Sequence, residues 1–347
     1  MYRVVYLKSG TRQDELRDMW QRVFEDDASF IDGFYGAMGA GMEVVAAMDD
    51  SGTLASAAHF IPVTMRMGKA TVKGSYLYAA MTLPEHRGQS LMGGILAKRM
   101  LRGYDAGEVF MCTLPASESL YELYAKYGFG PAFMLSRAVM SRVELSGMKL
   151  SQPFESRVSP EYAYRGSYGA REFTVLKNRL FVDYTACDNE GVGGEFLPFY
   201  GGYMYVRPEE DGGVYVKEIF AAGENLPYAA CLLLRKFPKA EKFTFDFCPD
   251  MAPPGQEVTP VRAGAFRVIN APAAYRLYAA RHPAEGRTFN IADEVIPQNS
   301  GGYRCVGGRV VWGEAMPEAP GFDAGQIAMQ IATDGERFAP YMNMMLD

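Results

Sequence analysis

The chain has 347 residues, 48% of them hydrophobic and 22% charged, a length and balance that can bury a real core and that suggests two or three domains. Its 35 Lys and Arg against 41 Asp and Glu leave a net charge of −6 with no basic stripe, which argues against a nucleic-acid partner and suits small cationic substrates instead. Cys112, Cys187, Cys231, Cys248 and Cys305 lie far apart with no C-x-x-C pair, and there are three histidines, so neither a zinc site nor a disulfide framework is expected.

No charged, signal-like start and no apolar run of about 18 residues occurs, so a cytoplasmic, soluble protein without a membrane partner is expected.

The first strand reads as Tyr2 to Leu7. The stretch TRQDELRDMWQRVFEDDASFIDGFY then spaces Leu16, Met19, Trp20, Val23 and Phe24 as a helix, with Thr11 or Asp14 as its N-cap. GAMGAGM superficially resembles a nucleotide loop, but no strand feeds it and no helix pattern leaves it, so a flexible loop is expected. MEVVAAMDDSGTLASAAHFIPVTMRM reads as a hairpin turning at Asp49 to Gly52, and ATVKGSYLYAAMTL as a further strand ending before Pro84. From Gln89 to Arg102, apolar residues at Leu91, Met92, Ile95, Leu96, Met100 and Leu101 mark one face of a helix. EVFMCTL is a short apolar strand, and SESLYELYAKYGF a helix stopped by Gly128.

Beyond Ser146 the pattern changes. GGYMYVRPEEDGGVYVKEIFA is a second hairpin, NLPYAACLLLRKFPKA a helix and KFTFDF a strand; MAPPGQE, at 251–257, is the best linker in the chain. AFRVINAPAAYRLYAARH then reads as a helix, GRTFNIADEVIPQNSGGYRCVGGRVV as strands and DAGQIAMQIA as a last helix. Three modules are expected, at 1–145, 146–255 and 256–347.

PEHRGQSLMGGIL, at 84–96, sits where the strand passes into the amphipathic helix. A helix N-terminus offers unpaired backbone N–H groups and a partial positive charge, so an anion is stabilised there. Gly88, Gly93 and Gly94, with Ser90, allow close backbone approach, and Arg87 adds a permanent cation with paired donors. An ordinary structural turn is the other reading.

YLYAAMTLPEHRGQSLMGGIL, a short apolar strand and LYELYAKYGF, in that order, resemble the GNAT family of acetyl-coenzyme A dependent N-acetyltransferases. The family loop R-x-x-G-x-G/A falls on Arg87 to Met92, but Ser90 stands where glycine is usual and Met92 where a small residue is usual. Beyond this loop, ASE and YGFGPA are similar to the Eis-like branch, which continues into a degenerate second GNAT module and a sterol-carrier-like module. FRVINAPAAYRL and FNIADEVIPQNSGGYRC resemble the latter. The resemblance spans essentially the whole chain, although the chain is shorter than is typical for the branch.

It implies an α+β (mixed α/β) GNAT fold around a central mixed, mostly antiparallel sheet, with acetyl-CoA as cofactor. It also implies that Arg87, Gly88, Gln89, Ser90, Leu91, Met92 and Gly93 hold the pyrophosphate. Backbone groups of Ala80, Met81 and Thr82 would pair with the pantetheine arm, and the Ala80 N–H would face the thioester oxygen. Ser117 resembles a cofactor contact. Tyr124, the tyrosine of Y-x-x-x-G-F, would be the general acid, with Tyr121 as substitute, while Tyr127 is expected to pack.

The base is left open. The terminal carboxylate of Asp347 is the first candidate, provided Asp347 is the true end, and a frayed tail is as good a reading. Glu118 is the next, with an early-helix acid as its alternative; His59 and Asn299 are expected to be structural. The acceptor is a primary amine of a small molecule or a lysine side chain, attacked directly, since no cysteine is placed for a covalent acetyl-enzyme. A non-catalytic CoA-binding or assembly protein is the alternative, and an apolar-ligand carrier in the third module a weaker one. The second module lacks an arginine-glycine loop and is expected to bind no cofactor; homo-oligomerisation is expected by resemblance.

Overall fold

The computed structural model describes residues 1–8, 10–148, 156–221, 223–333 and 339–344. Internal contacts divide the chain into two compact units, one of Met1–Ala132 with Gly264–Gly335 and one of Phe133–Ala263 with Glu336–Asp347. The first unit opens with β1 (Arg3–Leu7), α1 (Gln13–Phe24), α2 (Ala28–Met38), β2 (Glu43–Met48), β3 (Leu54–Met67) and β4 (Ala70–Thr82). α3 (Leu91–Asp105), β5 (Phe110–Thr113) and α4 (Glu118–Ala125) follow, and β6 (Gly130–Ser141) leads into the second unit.

β1 to β4 pair antiparallel in chain order and β5 joins β4 in parallel, which gives the expected mixed, mostly antiparallel sheet. Because side chains alternate along a strand, the Phe60 and Leu77 pair and the neighbouring His59 and Tyr78 pair face opposite ways. Phe60 and Leu77 are buried with Ile95, Leu96 and Met100 of α3 and Tyr121 and Tyr124 of α4. On the other face Trp20 of α1 places its ring 5.4 Å from His59 and 5.6 Å from Tyr78.

The region read as one helix after Thr11 is two. Its N-cap is Arg12, in the left-handed region, and not Thr11 or Asp14; Glu25 at φ 62 ends α1 by returning its N–H to Gln21. GAMGAGM is no flexible loop: it completes α2 and turns once through Gly39–Gly41.

The second unit contains α5 (Arg142–Gly147), α6 (Pro160–Arg165), β7 (Thr174–Leu176), α7 (Arg179–Gly191), β8 (Glu195–Phe199) and β9 (Gly202–Pro208). β10 (Val214–Ala221), α8 (Leu226–Lys236) and β11 (Lys242–Phe247) complete its repeat-like half. β8, β9 and β10 pair antiparallel, β10 and β11 in parallel, and β11 returns to β6. This strand, strand, strand, helix, strand order repeats that of β2, β3, β4, α3 and β5. Even the bulge recurs, with an extra residue at Lys217 of β10.

β12 (Thr259–Val268), α9 (Ala271–Arg281), β13 (Arg287–Ala292), β14 (Gly301–Val306), β15 (Arg309–Gly313), β16 (Gly321–Asp323) and α10 (Ala324–Thr333) end the described fold elements. β15, β14, β13 and β16 form a separate small sheet in that order. The helix read over 265–282 begins as a strand: Ala265 to Val268 pair with Thr113 to Phe110 of β5, and α9 starts only at Ala271. A division drawn at linkers cannot register this pairing, which is why residues 264–335 group with 1–132. Among the described residues no helix is long and apolar enough to cross a membrane.

Candidate active site

β4 carries an irregularity where the proposed chemistry would sit. Ala57 pairs with Met81 and His59 with Tyr78, so Ala79 and Ala80 face Ala58 alone, two residues against one. Ala79 takes φ 42, a left-handed conformation that alanine rarely adopts. On its other edge β4 pairs with β5 only from Gly74 to Leu77, where the Thr113 hydroxyl closes the pairing on the Leu77 carbonyl at 2.9 Å. Beyond that point β5 ends and the chain turns into α4. Among the described residues no strand pairs with the β5-side edge of Tyr78 to Thr82, so backbone groups of Ala80, Met81 and Thr82 are placed where an extended ligand arm would pair as a strand.

The turn after β4 leads to the start of α3. His86 and Arg87 return their N–H groups to Leu83 and Pro84, and Gly94 is the first helical residue to bond back, to Ser90 at 3.2 Å. Among the described residues no backbone carbonyl accepts from the N–H groups of Gly88 to Gly93, which leaves the cluster of donors an anion needs. Gly88 at φ 77 and Ser90 at φ 55 wind the loop, in which Gly88, Gln89 and Ser90 are exposed while Leu91 and Gly93 are buried. Arg87, also exposed, bonds the Thr82 carbonyl through Nε at 3.3 Å and so lies alongside both the strand edge and the helix start. Ser90 thus adopts the conformation that glycine would take more easily. Met92 packs against the core under α3, and Gly93 faces the Tyr127 hydroxyl, which packs as expected.

α4 brings Tyr124 into the same cluster as Leu91 and Ile95 of α3. Tyr124 is 5% exposed, its ring 5.5 Å from Phe129, and burial raises its phenol to about 12. It is therefore a neutral proton donor throughout the ordinary pH range. Tyr121 is buried one turn earlier on the same helix. Gly128, at φ 80, ends the turn after α4, and a side chain there would strike the Arg267 guanidinium of β12. That guanidinium is buried and paired with Asp293 at 2.6 and 2.7 Å, while Asn299 bonds the same carboxylate. Asn299 is 1% exposed and holds main-chain groups of Ile269 and Ala271, a structural role. No local pattern marks Arg267, because its partner lies 26 residues away.

Ser117 is the exposed N-cap of α4 and Glu118 the first residue of that helix. His59 is fully buried, bonded to the Tyr35 hydroxyl at 2.8 Å and the Ala79 carbonyl at 3.3 Å, and burial lowers its pKa to about 4. Cys112 is fully buried as well, and burial pushes its thiol up. Asp347 lies outside the described residues. Among those residues, no three His, Cys, Asp or Glu side chains group as a metal site.

Residues 8–132 match the family model described as an acetyltransferase (GNAT) domain. No curated protein sequence matches the chain. Among solved structures, the fold is similar to a conserved protein of unknown function from Enterococcus faecalis V583, named a probable N-acyltransferase. That likeness has a TM-score of 0.78 at 15% identity and covers 95% of this chain and 89% of the other. Eis1 from Mycobacterium abscessus gives a TM-score of 0.73 at 12% identity over 95% and 89%. A GCN5-related N-acetyltransferase from Kribbella flavida gives 0.72 at 15% over 96% and 89%. Identities this low establish the shared fold. The bulged, half-unpaired β4 and the open start of α3 both lie inside the segment that matches the GNAT acetyltransferase domain, and the chain as a whole shares the fold of Eis1.

Proposed function

We propose that the protein acetylates a primary amine of a small cationic molecule or a lysine side chain, which attacks the thioester directly in a ternary complex. The observation that carries this reading is the convergence, within one domain, of an unpaired strand edge at Ala80 to Thr82, an open helix start at Gly88 to Gly93, and a buried neutral phenol at Tyr124. Acetyl-CoA, when bound, supplies an activated acyl group and a thiol leaving group.

The chain's own residues then have distinct tasks. The N–H groups of Gly88, Gln89, Ser90, Leu91, Met92 and Gly93, with the Arg87 guanidinium, bind the diphosphate, because the helix start concentrates positive potential without a counter-charge. Main-chain groups of Ala80, Met81 and Thr82 hold the pantetheine amides, and Ser117 contacts the cofactor from the start of α4. The Ala80 N–H faces the carbonyl oxygen, where a fixed donor stabilises developing negative charge by about 3 to 4 kcal/mol. Tyr124 donates the proton to the departing thiolate. A covalent acetyl-enzyme finds no support at Cys112, since burial disfavours its thiolate.

The net charge of −6 supports a cationic acceptor. In the second unit the stretch before α8 has no arginine-glycine loop, which supports a module without cofactor. Free-thiol release from acetyl-CoA across a panel of polyamines, aminoglycosides and lysine peptides tests the reading. Amine-dependent release from at least one class is expected. CoA binding without release across the panel leaves a binding or assembly protein instead.

A further inference from the structure

The bulge in β4 is a strained element, and its carbonyl is held by one side chain. Ala79 has a left-handed backbone, in which a Cβ crowds the following carbonyl oxygen. Such a conformation persists only where its surroundings over-determine it. Here the surroundings are His59, whose Nδ1 lies 3.3 Å from the Ala79 carbonyl oxygen, and Tyr35 of α2, whose hydroxyl lies 2.8 Å from Nε2.

The proton arrangement follows from chemistry alone. A carbonyl oxygen only accepts, so the neutral ring must carry its hydrogen on Nδ1, and bare Nε2 must accept from the Tyr35 hydroxyl. The ring is fully buried and also edged by Trp20 and Phe34, so it has no freedom to turn away. The next N–H along the chain belongs to Ala80. Its direction is set by the Ala79 to Ala80 peptide plane, and His59 grips the oxygen of that same plane.

The second unit solves the same problem with other atoms. The extra residue of its bulge, Lys217, offers its carbonyl to the Asn343 side-chain amide at 3.1 Å. A side-chain N–H on the bulge carbonyl therefore recurs where the strand pattern recurs.

We propose that His59, fixed by Tyr35, is a positioning residue that holds the Ala79 to Ala80 peptide so that the Ala80 N–H points at the acyl oxygen. This rests on the functional reading above, in which that N–H is the oxyanion donor. Neither side chain touches substrate; both act through the backbone.

Infrared spectra of 1-13C-acetyl-CoA bound to the full chain report the donor directly, because a hydrogen bond to the thioester oxygen lowers the carbonyl frequency. The wild-type protein should show a lowered band. His59→Leu should lose most of that lowering while its acetyl-CoA affinity stays close to wild type, since the helix start is untouched. His59→Asn, whose amide reaches the place of Nδ1, should restore it; Tyr35→Phe, which frees Nε2, should give an intermediate band. A His59→Leu protein that keeps the wild-type band overturns the proposal and leaves the functional reading intact. If His59→Leu does not fold, a wild-type band in Tyr35→Phe overturns it equally. Wild-type protein that binds acetyl-CoA without any lowering refutes the oxyanion assignment itself, and the positioning role with it.

Discussion

The Tyr127 hydroxyl occupies the space into which a side chain at Gly93 would project, so the first turn of α3 and the turn after α4 meet across a gap that only a hydrogen atom can fill. Helix propensity alone favours alanine over glycine by about 1 kcal/mol. The contact should reverse that sign. Gly93→Ala is expected to destabilise the domain by about 1 to 3 kcal/mol through overpacking. Urea denaturation of Gly93→Ala alone and in a Tyr127→Phe background measures the coupling. The alanine should cost less once the hydroxyl is gone, and equal costs in both backgrounds would place the strain elsewhere.

Ser90 gives a prediction of opposite sign. Its φ of 55 sits in the region that glycine enters without a steric penalty, and its side chain makes no capping hydrogen bond. Ser90→Gly should therefore relieve about 0.5 to 1 kcal/mol of strain, less whatever entropy glycine adds to the unfolded chain. Gly88→Ala, at φ 77, should do the reverse and also weaken CoA binding, because the loop would have to unwind from its donor-presenting shape. Thermal denaturation with and without CoA separates the two effects. A Ser90→Gly protein less stable than wild type would show that the serine hydroxyl contributes more than its backbone costs.

Tyr124 tests the chemistry. With its phenol raised to about 12 by burial, the group stays protonated across the usable range, so no alkaline loss of rate below about pH 11 should belong to it. Tyr124→Phe keeps the ring against Phe129 and removes only the proton donor. Turnover should fall by about 100-fold or more with little change in KM for acetyl-CoA. A two- or three-fold loss would move the role to another donor, Tyr121 first.

The parts of the domain that sequence made legible are those where periodicity and turn chemistry agree. The hairpin at Asp49 to Gly52, the strand before Pro84, the α3 face and the α4 stop at Gly128 all followed from local pattern. What stayed hidden depends on partners distant in the chain or on backbone angles that residue type conceals. Ala79 and Ser90 are not glycines, so nothing in their identity announces a left-handed backbone. Arg267 is a charged residue in a strand, legible only once Asp293 is seen to neutralise it, and this helped AFRV pass for the start of α9. His59 reads as a structural residue in the sequence, but its hold on the Ala79 carbonyl needs the bulge, which no pattern of apolar residues encodes.

His59 also makes a prediction about acid stability. Burial lowers its pKa from 6.5 to about 4, so folding favours the neutral ring. The stabilisation is then fully present above the unfolded value and lost as pH falls through the folded one. The window runs from about pH 6.5 down to about 4, and the gap between those values caps the effect at about 3 kcal/mol. Because the Ala79 carbonyl raises the pKa while desolvation lowers it, the outcome depends on the ring staying in its buried slot. Urea midpoints measured at intervals across that window should fall more steeply for the wild-type protein than for His59→Asn, which carries no titrating group there. Parallel acid limbs for the two proteins would mean that the ring swings out to water and charges freely, and the same motion would release the Ala79 carbonyl.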